Sequence, residues 1–150
     1  MFCLYGADSS ELSFLHCFFT IRPDYDYIAF LIRELKMDVD EYDVNELTAF
    51  GHVYKEQDKE QMNFLLQMGA NVDRLMMENG RTLLMDAAMR GDSPMFEFLL
   101  SKGSDPTLKC HTGRTVAEYI KLSYEGKSEF TKSELNQILY RNSLLRIQKA

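Results

Sequence analysis

The most constraining feature of this sequence is that it repeats. Thr48-Ala49-Phe50-Gly51-His52-Val53-Tyr54, running on to Met62-Asn63-Phe64-Leu65-Leu66-Gln67-Met68-Gly69-Ala70-Asn71, aligns without gaps at an offset of 34 residues with a later stretch. That stretch is Thr82-Leu83-Leu84-Met85-Asp86-Ala87-Ala88, running on to Phe96-Glu97-Phe98-Leu99-Leu100-Ser101-Lys102-Gly103-Ser104-Asp105. Gly80-Arg81-Thr82 recurs 33 residues on as Gly113-Arg114-Thr115, and Phe30-Leu31-Ile32 stands 34 residues before Phe64-Leu65-Leu66. Met37-Asp38-Val39-Asp40 likewise matches Ala70-Asn71-Val72-Asp73. A period of this length implies one supersecondary unit per repeat. No such unit buries its apolar face alone, so neighbours must stack.

Each unit reads as two short helices. Leu83, Leu84, Ala87 and Ala88 share one face at helical spacing. Gly91 stops that helix, because glycine takes the left-handed conformation at a helix end without a Cβ penalty. Asp92 or Ser93 can cap the next helix, and Pro94 suits its first turn. Met95, Phe96, Phe98, Leu99 and Leu100 form the buried side of that helix, and Gly103 ends it. Asp105-Pro106 and His111-Thr112-Gly113 supply turn chemistry between units. Near the end of the chain, 131–148 reads as a longer amphipathic helix with Leu135, Ile138, Leu139, Leu144, Leu145 and Ile147 as its apolar set. Most of the nine methionines fall at core spacing, where Met is a gap filler. Met76, Met77 and Met89 are candidates for a soft binding surface.

These residues resemble the ankyrin repeat family. Its pattern runs Gly-x-Thr-Pro-Leu-His-x-Ala-Ala, a glycine, a Leu-Leu pair, then Gly-Ala-Asp. Gly80 to Ala88, Gly91, Leu99-Leu100 and Gly103-Ser104-Asp105 match it well. Thr48–Asn71 keeps Leu65-Leu66 and Gly69-Ala70-Asn71 but has Val53-Tyr54 for the paired alanines. The first unit keeps Leu15-His16 and Leu31-Ile32, with Phe18 and Phe19 in place of the alanines. The motif's proline is replaced by Phe14, Ala49, Leu83 and Val116, and its glycine by Glu11 and Glu46 in the first two units. The resemblance implies an all-α ankyrin-repeat solenoid in a single domain. Its four helix-turn-helix units would span about 8–42, 43–76, 77–109 and 110–150, with 131–148 as a C-terminal capping helix. It also implies a concave binding face made of hairpin tips and first helices. The tips are Val44, Asn45 and Leu47, then Glu78, Asn79 and Arg81, then His111, Thr112 and Arg114. The first-helix positions are Cys17, Thr20 and Ile21, then His52, Lys55 and Glu56, then Asp86, Met89 and Arg90, then Tyr119 and Leu122.

Charge bears on what such a face would bind. The net charge is −6, which disfavours a nucleic-acid binder that works by neutralising phosphates. The balance is uneven: residues 1–75 hold 14 acids and 6 bases, whereas residues 76–150 hold 9 acids and 11 bases. The densest acidic run is Asp38, Asp40, Glu41, Asp43 and Glu46, with Tyr42 inside it as an aromatic anchor ringed by charge. Tyr42, Tyr119, Arg81 and Arg114 are favoured contacts by residue type.

Catalysis finds little support. His16-Cys17 and Cys110-His111 pair a thiol with an imidazole, but neighbours on a helix point about 100° apart, poor geometry for a dyad. His16, His52 and His111 are spread one per unit without a metal-ligand spacing. Gly113-Arg114-Thr115 lacks the glycines and lysine of a phosphate loop. Cys3, Cys17 and Cys110 form no Cys-x-x-Cys element, and no apolar run reaches the roughly 20 residues of a membrane helix. The expectation is therefore a cytoplasmic, monomeric, non-catalytic protein-interaction module with no cofactor, no metal, no nucleic acid and no membrane. Its partner would be a protein with a basic surface. A dedicated inhibitor, such as an immunity protein that occludes a basic toxin, fits the size and charge. The alternatives are a structural or assembly element and, more remotely, an enzyme using Cys17 or Cys110.

Overall fold

A computed structural model describes residues 24–76, 80–125 and 140. Among these, six helices form the fold: α1 (Tyr25–Arg33), α2 (Ala49–Glu56), α3 (Lys59–Gln67), α4 (Leu83–Arg90), α5 (Ser93–Ser101) and α6 (Val116–Glu125). The chain divides into two compact units, Met1–Glu78 and Asn79–Ala150. The proposed capping helix at 131–148 and the first helix of the first repeat lie outside the described residues.

The helix starts follow a rule that the period enforces. Asp24, Asp58 and Asp92 cap α1, α3 and α5, their carboxylates accepting from Tyr27 N, from Glu60 N and Gln61 N, and from Met95 N. The choice between Asp92 and Ser93 is thus settled for Asp92, with Pro94 in the first turn. Thr48 and Thr82 cap α2 and α4 through Gly51 N and Met85 N. Before α6, the Glu118 carboxylate returns to Thr115 N at 2.7 Å and to its hydroxyl at 3.2 Å. This bond pattern satisfies donors that a helix start leaves open.

The helix ends and the hairpin turns hold a second regularity. Gly91, Gly69, Gly103, Gly80 and Gly113 all have positive φ. The non-glycine residues with positive φ among those described are Lys36 (55°), Glu46 (58°) and Gln57 (61°). Each stands where another repeat has glycine: Lys36 against Gly69 and Gly103, Glu46 against Gly80 and Gly113, Gln57 against Gly91. Glu46 therefore does not break its turn. It adopts the left-handed conformation of the glycine it replaces.

In the first unit α2 packs on α3, and in the second α4 packs on both α5 and α6. Phe50, Val53, Tyr54, Met62 and Leu65 are at most 1% exposed. Leu84, Met85, Ala87, Ala88, Met95, Phe96 and Leu99 are sealed to the same degree. Full burial of such a Leu- or Phe-sized side chain contributes about 1.5–3 kcal/mol. The paired alanines at 87 and 88 let α4 lie close to its neighbours, whereas Val53 and Tyr54 fill the same positions with bulk. Two residue pairs link loops one repeat apart in the first unit. Asn71 N donates to both Asp40 carboxylate oxygens at 3.0 and 3.1 Å, and Tyr42 OH donates to the Leu75 carbonyl at 2.6 Å.

Candidate interaction surface

The turn before α2 is built on one carboxylate. Asp43 N donates to Leu47 O at 2.9 Å and Glu46 N to Asp43 O at 3.0 Å, closing a tight hairpin. Asp43 Oδ1 accepts from Asn45 N at 2.8 Å and Leu47 N at 3.0 Å. Asp43 Oδ2 lies 2.6 Å from His52 Nε2, which comes from α2. The Asp43 side chain is sealed and that of His52 is 12% exposed, so the pair is screened from water. Burial pushes the Asp43 carboxyl up, but the Leu47, His52 and Asn45 bonds together outweigh it and hold it below the usual range.

The turn before α6 has the same plan with a different anchor. Cys110 N donates to Arg114 O at 2.9 Å and Gly113 N to Cys110 O at 2.8 Å. Cys110 Sγ lies 3.0 Å from Thr112 Oγ1 and receives the Tyr119 hydroxyl at 3.3 Å. Cys110 thus takes the place of Asp43, and Tyr119 the place of His52, at the same separation of nine residues. Burial pushes the thiol up, but bonds from Thr112, Tyr119 and the backbone N–H groups of Thr112 and Arg114 prevail and bring it down to about 7. Tyr119 is raised above the usual tyrosine value, first by burial and then by the Cys110 contact. Spacing alone conceals this equivalence, because the two anchors share no residue type. A signal was present all the same in Asp43-x-x-Glu46 and Cys110-x-x-Gly113 at matching steps of the repeat.

The face residues expected from sequence divide into three groups. Asn45, Glu46, Lys55, Glu56, Met89, Arg90, His111, Thr112 and Arg114 are exposed, as is Glu41 in the acidic run. A second group is engaged within the fold. Asp40 is half-buried on Asn71, and Tyr42 gives its hydroxyl to Leu75 while the Arg74 guanidinium sits 4.7 Å from its ring centroid. His52 is committed to Asp43. Asp86 (5% exposed), Tyr119 (6%) and Met76 (8%) are buried, so a partner meets none of these three directly. Helix packing sets this: α4 lies between α5 and α6, and inward positions near its middle are covered. Glu78, Asn79, Met77 and Cys17 lie outside the described residues.

The buried members orient exposed ones. Asp86 Oδ2 holds Arg90 Nε at 2.7 Å, leaving an Arg90 side chain that is 55% exposed. Arg81 Nη1 lies 2.7 Å from Met89 Sδ, and its guanidinium is 5.7 Å from the Tyr119 ring centroid. His111 leans over Gly80, where an added Cβ would overlap the imidazole ring. His111 is therefore turned to the neighbouring hairpin, and the groups bonded to the Cys110 sulfur are Thr112 and Tyr119. Among the described residues no three His, Cys, Asp or Glu side chains converge as a metal site, and no helix is long and apolar enough to cross a membrane.

Comparison with known proteins agrees with this architecture. A family model described as ankyrin repeats (3 copies) matches residues 15–110. The ankyrin repeat domain of Bcl-3, described as a unique member of the IkappaB protein family, is a similar solved structure with a TM-score of 0.61 and 23% identity. The match covers 87% of this chain and 52% of that one, so the chain spans about half the length of that domain. No curated protein matches the chain.

Proposed function

Since the chain belongs to the ankyrin repeat family, whose repeats are generally protein–protein interaction modules, we propose that it binds one protein partner through its hairpin turns and first helices, without catalysis. The observation that carries this reading is the construction of the turns. Asp43 and Cys110 are buried anchors that fix the backbone of turns on which Glu46 and Arg114 are exposed, with Asn45 and Thr112 bonded back to the anchors. Such preorganisation lowers the ordering cost of binding.

The partner of the first unit is a basic surface. Residues 24–76 hold 12 acids and 5 bases, with Glu41, Glu46 and Glu56 exposed. Charge of this kind steers association and weakens with salt. The most specific form of the reading is a dedicated inhibitor, such as an immunity protein that occludes a basic toxin. It requires that the partner's own activity fall when this chain is bound.

The test is affinity capture at about 50 and 300 mM salt, followed by Kd measurement on the captured protein with the Glu46→Lys/Glu56→Lys variant. Capture of one basic protein, lost at the higher salt and weakened at least about tenfold by the double variant, is the expected result. A partner that binds the variant as tightly as the parent chain would overturn the acidic-surface reading. An unaltered partner activity would overturn the inhibitor.

A further inference from the structure

The second unit does not share the acidity of the first. Residues 80–125 hold six acids and six bases. On the side formed by α4 and the turn before α6, the acids are already committed. Asp86 is buried against Arg90, and the Glu118 carboxylate is closed on Thr115. The exposed cations there include two guanidiniums, Arg90 held by its Nε and Arg114 at the tip of the turn, with Lys109 and Lys121 exposed nearby in the chain and the exposed Glu118 carboxylate acting on Arg114 and Lys121. Two apolar side chains are exposed on the same pair of packed helices, Met89 of α4 at 41% and Leu122 of α6 at 46%. Met89 is also in contact with Arg81, which the Tyr119 ring backs from the other side.

This combination has a definite chemistry. A guanidinium fixed by a buried carboxylate through Nε still presents its two Nη groups, and a planar fork of N–H donors matches a carboxylate. Methionine adapts its shape to whatever apolar group it meets. We propose that this side of the second unit receives a carboxylate-bearing, apolar-anchored segment of the partner protein. Arg90 and Arg114 take Asp or Glu carboxylates, and Met89 and Leu122 take aliphatic or aromatic side chains of the same segment. The inference rests on turns and first helices being the binding side, as proposed above. It adds that the partner presents opposite charges to the two units: a basic surface to residues 24–76 and an acidic segment to residues 81–122. A uniformly basic partner would meet repulsion at Arg90 and Arg114, so the division also selects against such proteins.

The probe is a random dodecapeptide library displayed on phage and selected on the full chain. Enriched peptides are then measured by fluorescence anisotropy on the parent and on two variants. Arg90→Gln/Arg114→Glu removes the cationic pair, and the glutamine amide it introduces keeps a donor for the buried Asp86. Glu46→Lys/Glu56→Lys alters the first unit alone. Circular dichroism checks that both variants fold. The expected peptides combine Asp or Glu with Leu, Met or Phe. They should bind the arginine variant at least about tenfold more weakly, the loss of one or two charge-assisted contacts, and bind the glutamate variant unchanged. Acidic peptides that bind the arginine variant undiminished would overturn the inference. Enrichment of Lys- and Arg-rich peptides alone, with binding lost in the glutamate variant, would overturn it while leaving the proposed function intact. Enrichment of neither class would count against both.

Discussion

Replacing Glu46 by glycine should stabilise the protein, although it removes a side chain and adds none. Glu46 has φ 58°, where an L-residue carries a penalty of about 1–2 kcal/mol from the contact of its Cβ with the following carbonyl oxygen. Glycine escapes that contact but loses more chain entropy on folding, about 0.5–1 kcal/mol relative to alanine. The net gain is about 0.5–1 kcal/mol, since the Glu46 side chain is exposed and the turn bond it makes is a backbone one, Glu46 N to Asp43 O at 3.0 Å. For a chain of this size that is a rise of about 2–4 °C in Tm per kcal/mol. Lys36→Gly follows the same arithmetic. Gln57→Gly should give less, because Gln57 Nε2 donates a long bond of 3.4 Å to the Tyr54 carbonyl that glycine would lose. The assay is thermal unfolding followed by circular dichroism, with Glu46→Ala as the control. Alanine removes the charge yet keeps the Cβ, so it should give no comparable gain. A Tm for Glu46→Gly at or below that of the parent, or an equal rise for Glu46→Ala, would refute the argument.

Other expectations concern the turns and the core. Gly80→Ala should lower the unfolding free energy measured in urea by more than the about 1–2 kcal/mol of its left-handed backbone, because the new Cβ would overlap the His111 ring. His111→Ala in the same chain should recover only the steric part. The Asp43 carboxyl is held below its unfolded value, about 3.9, so its stabilisation is complete above that pH and is lost as the pH falls through the folded value. The stability difference between the parent and Asp43→Asn should accordingly be level at neutral pH and shrink in acid; a constant difference would show that the bonds from Leu47, His52 and Asn45 do not hold the carboxyl down. The Cys110 thiolate, read by ultraviolet absorbance, should titrate near 7. Because that value is depressed from 9.0, the stability it contributes is complete above about pH 9 and declines as the pH falls through 7, a slope that Cys110→Ser should abolish. Leu65→Ala, at a position with no exposure, should cost about 2–5 kcal/mol in chemical unfolding.

The repeat was legible because stacking imposes it on residue types. Phe-Leu-Leu and Gly elements return at a fixed step, and the helices α2 to α5 fall where that step places them. The Asp caps at 24, 58 and 92 were open to the same inspection, yet one Asp is weak as a signal and only the three together are telling. Less of the surface could be read. Asp86 and Tyr119 occupy first-helix positions that the family pattern leaves facing a partner, yet depth within the stack is a property of neighbours and both are covered. Tyr42 looked like a free anchor because sequence cannot show the Leu75 carbonyl one repeat away. The role of Cys110 was hidden for a different reason. A thiol standing in for a carboxylate preserves the hydrogen-bond geometry and discards the residue identity on which pattern matching depends.

The links from Asp40 to Asn71 and from Tyr42 to Leu75 have a mechanical meaning. Each joins points about one repeat apart along the chain, 31 and 33 residues respectively. A force that draws these two loops apart therefore loads these bonds. Once they part and α2 and α3 unwind as well, the chain between them can extend by about 110 Å, the reach of a single repeat. The first unit is in this sense a spring with a graduated length. The length that these bonds guard is that of one repeat, 31 and 33 residues of chain.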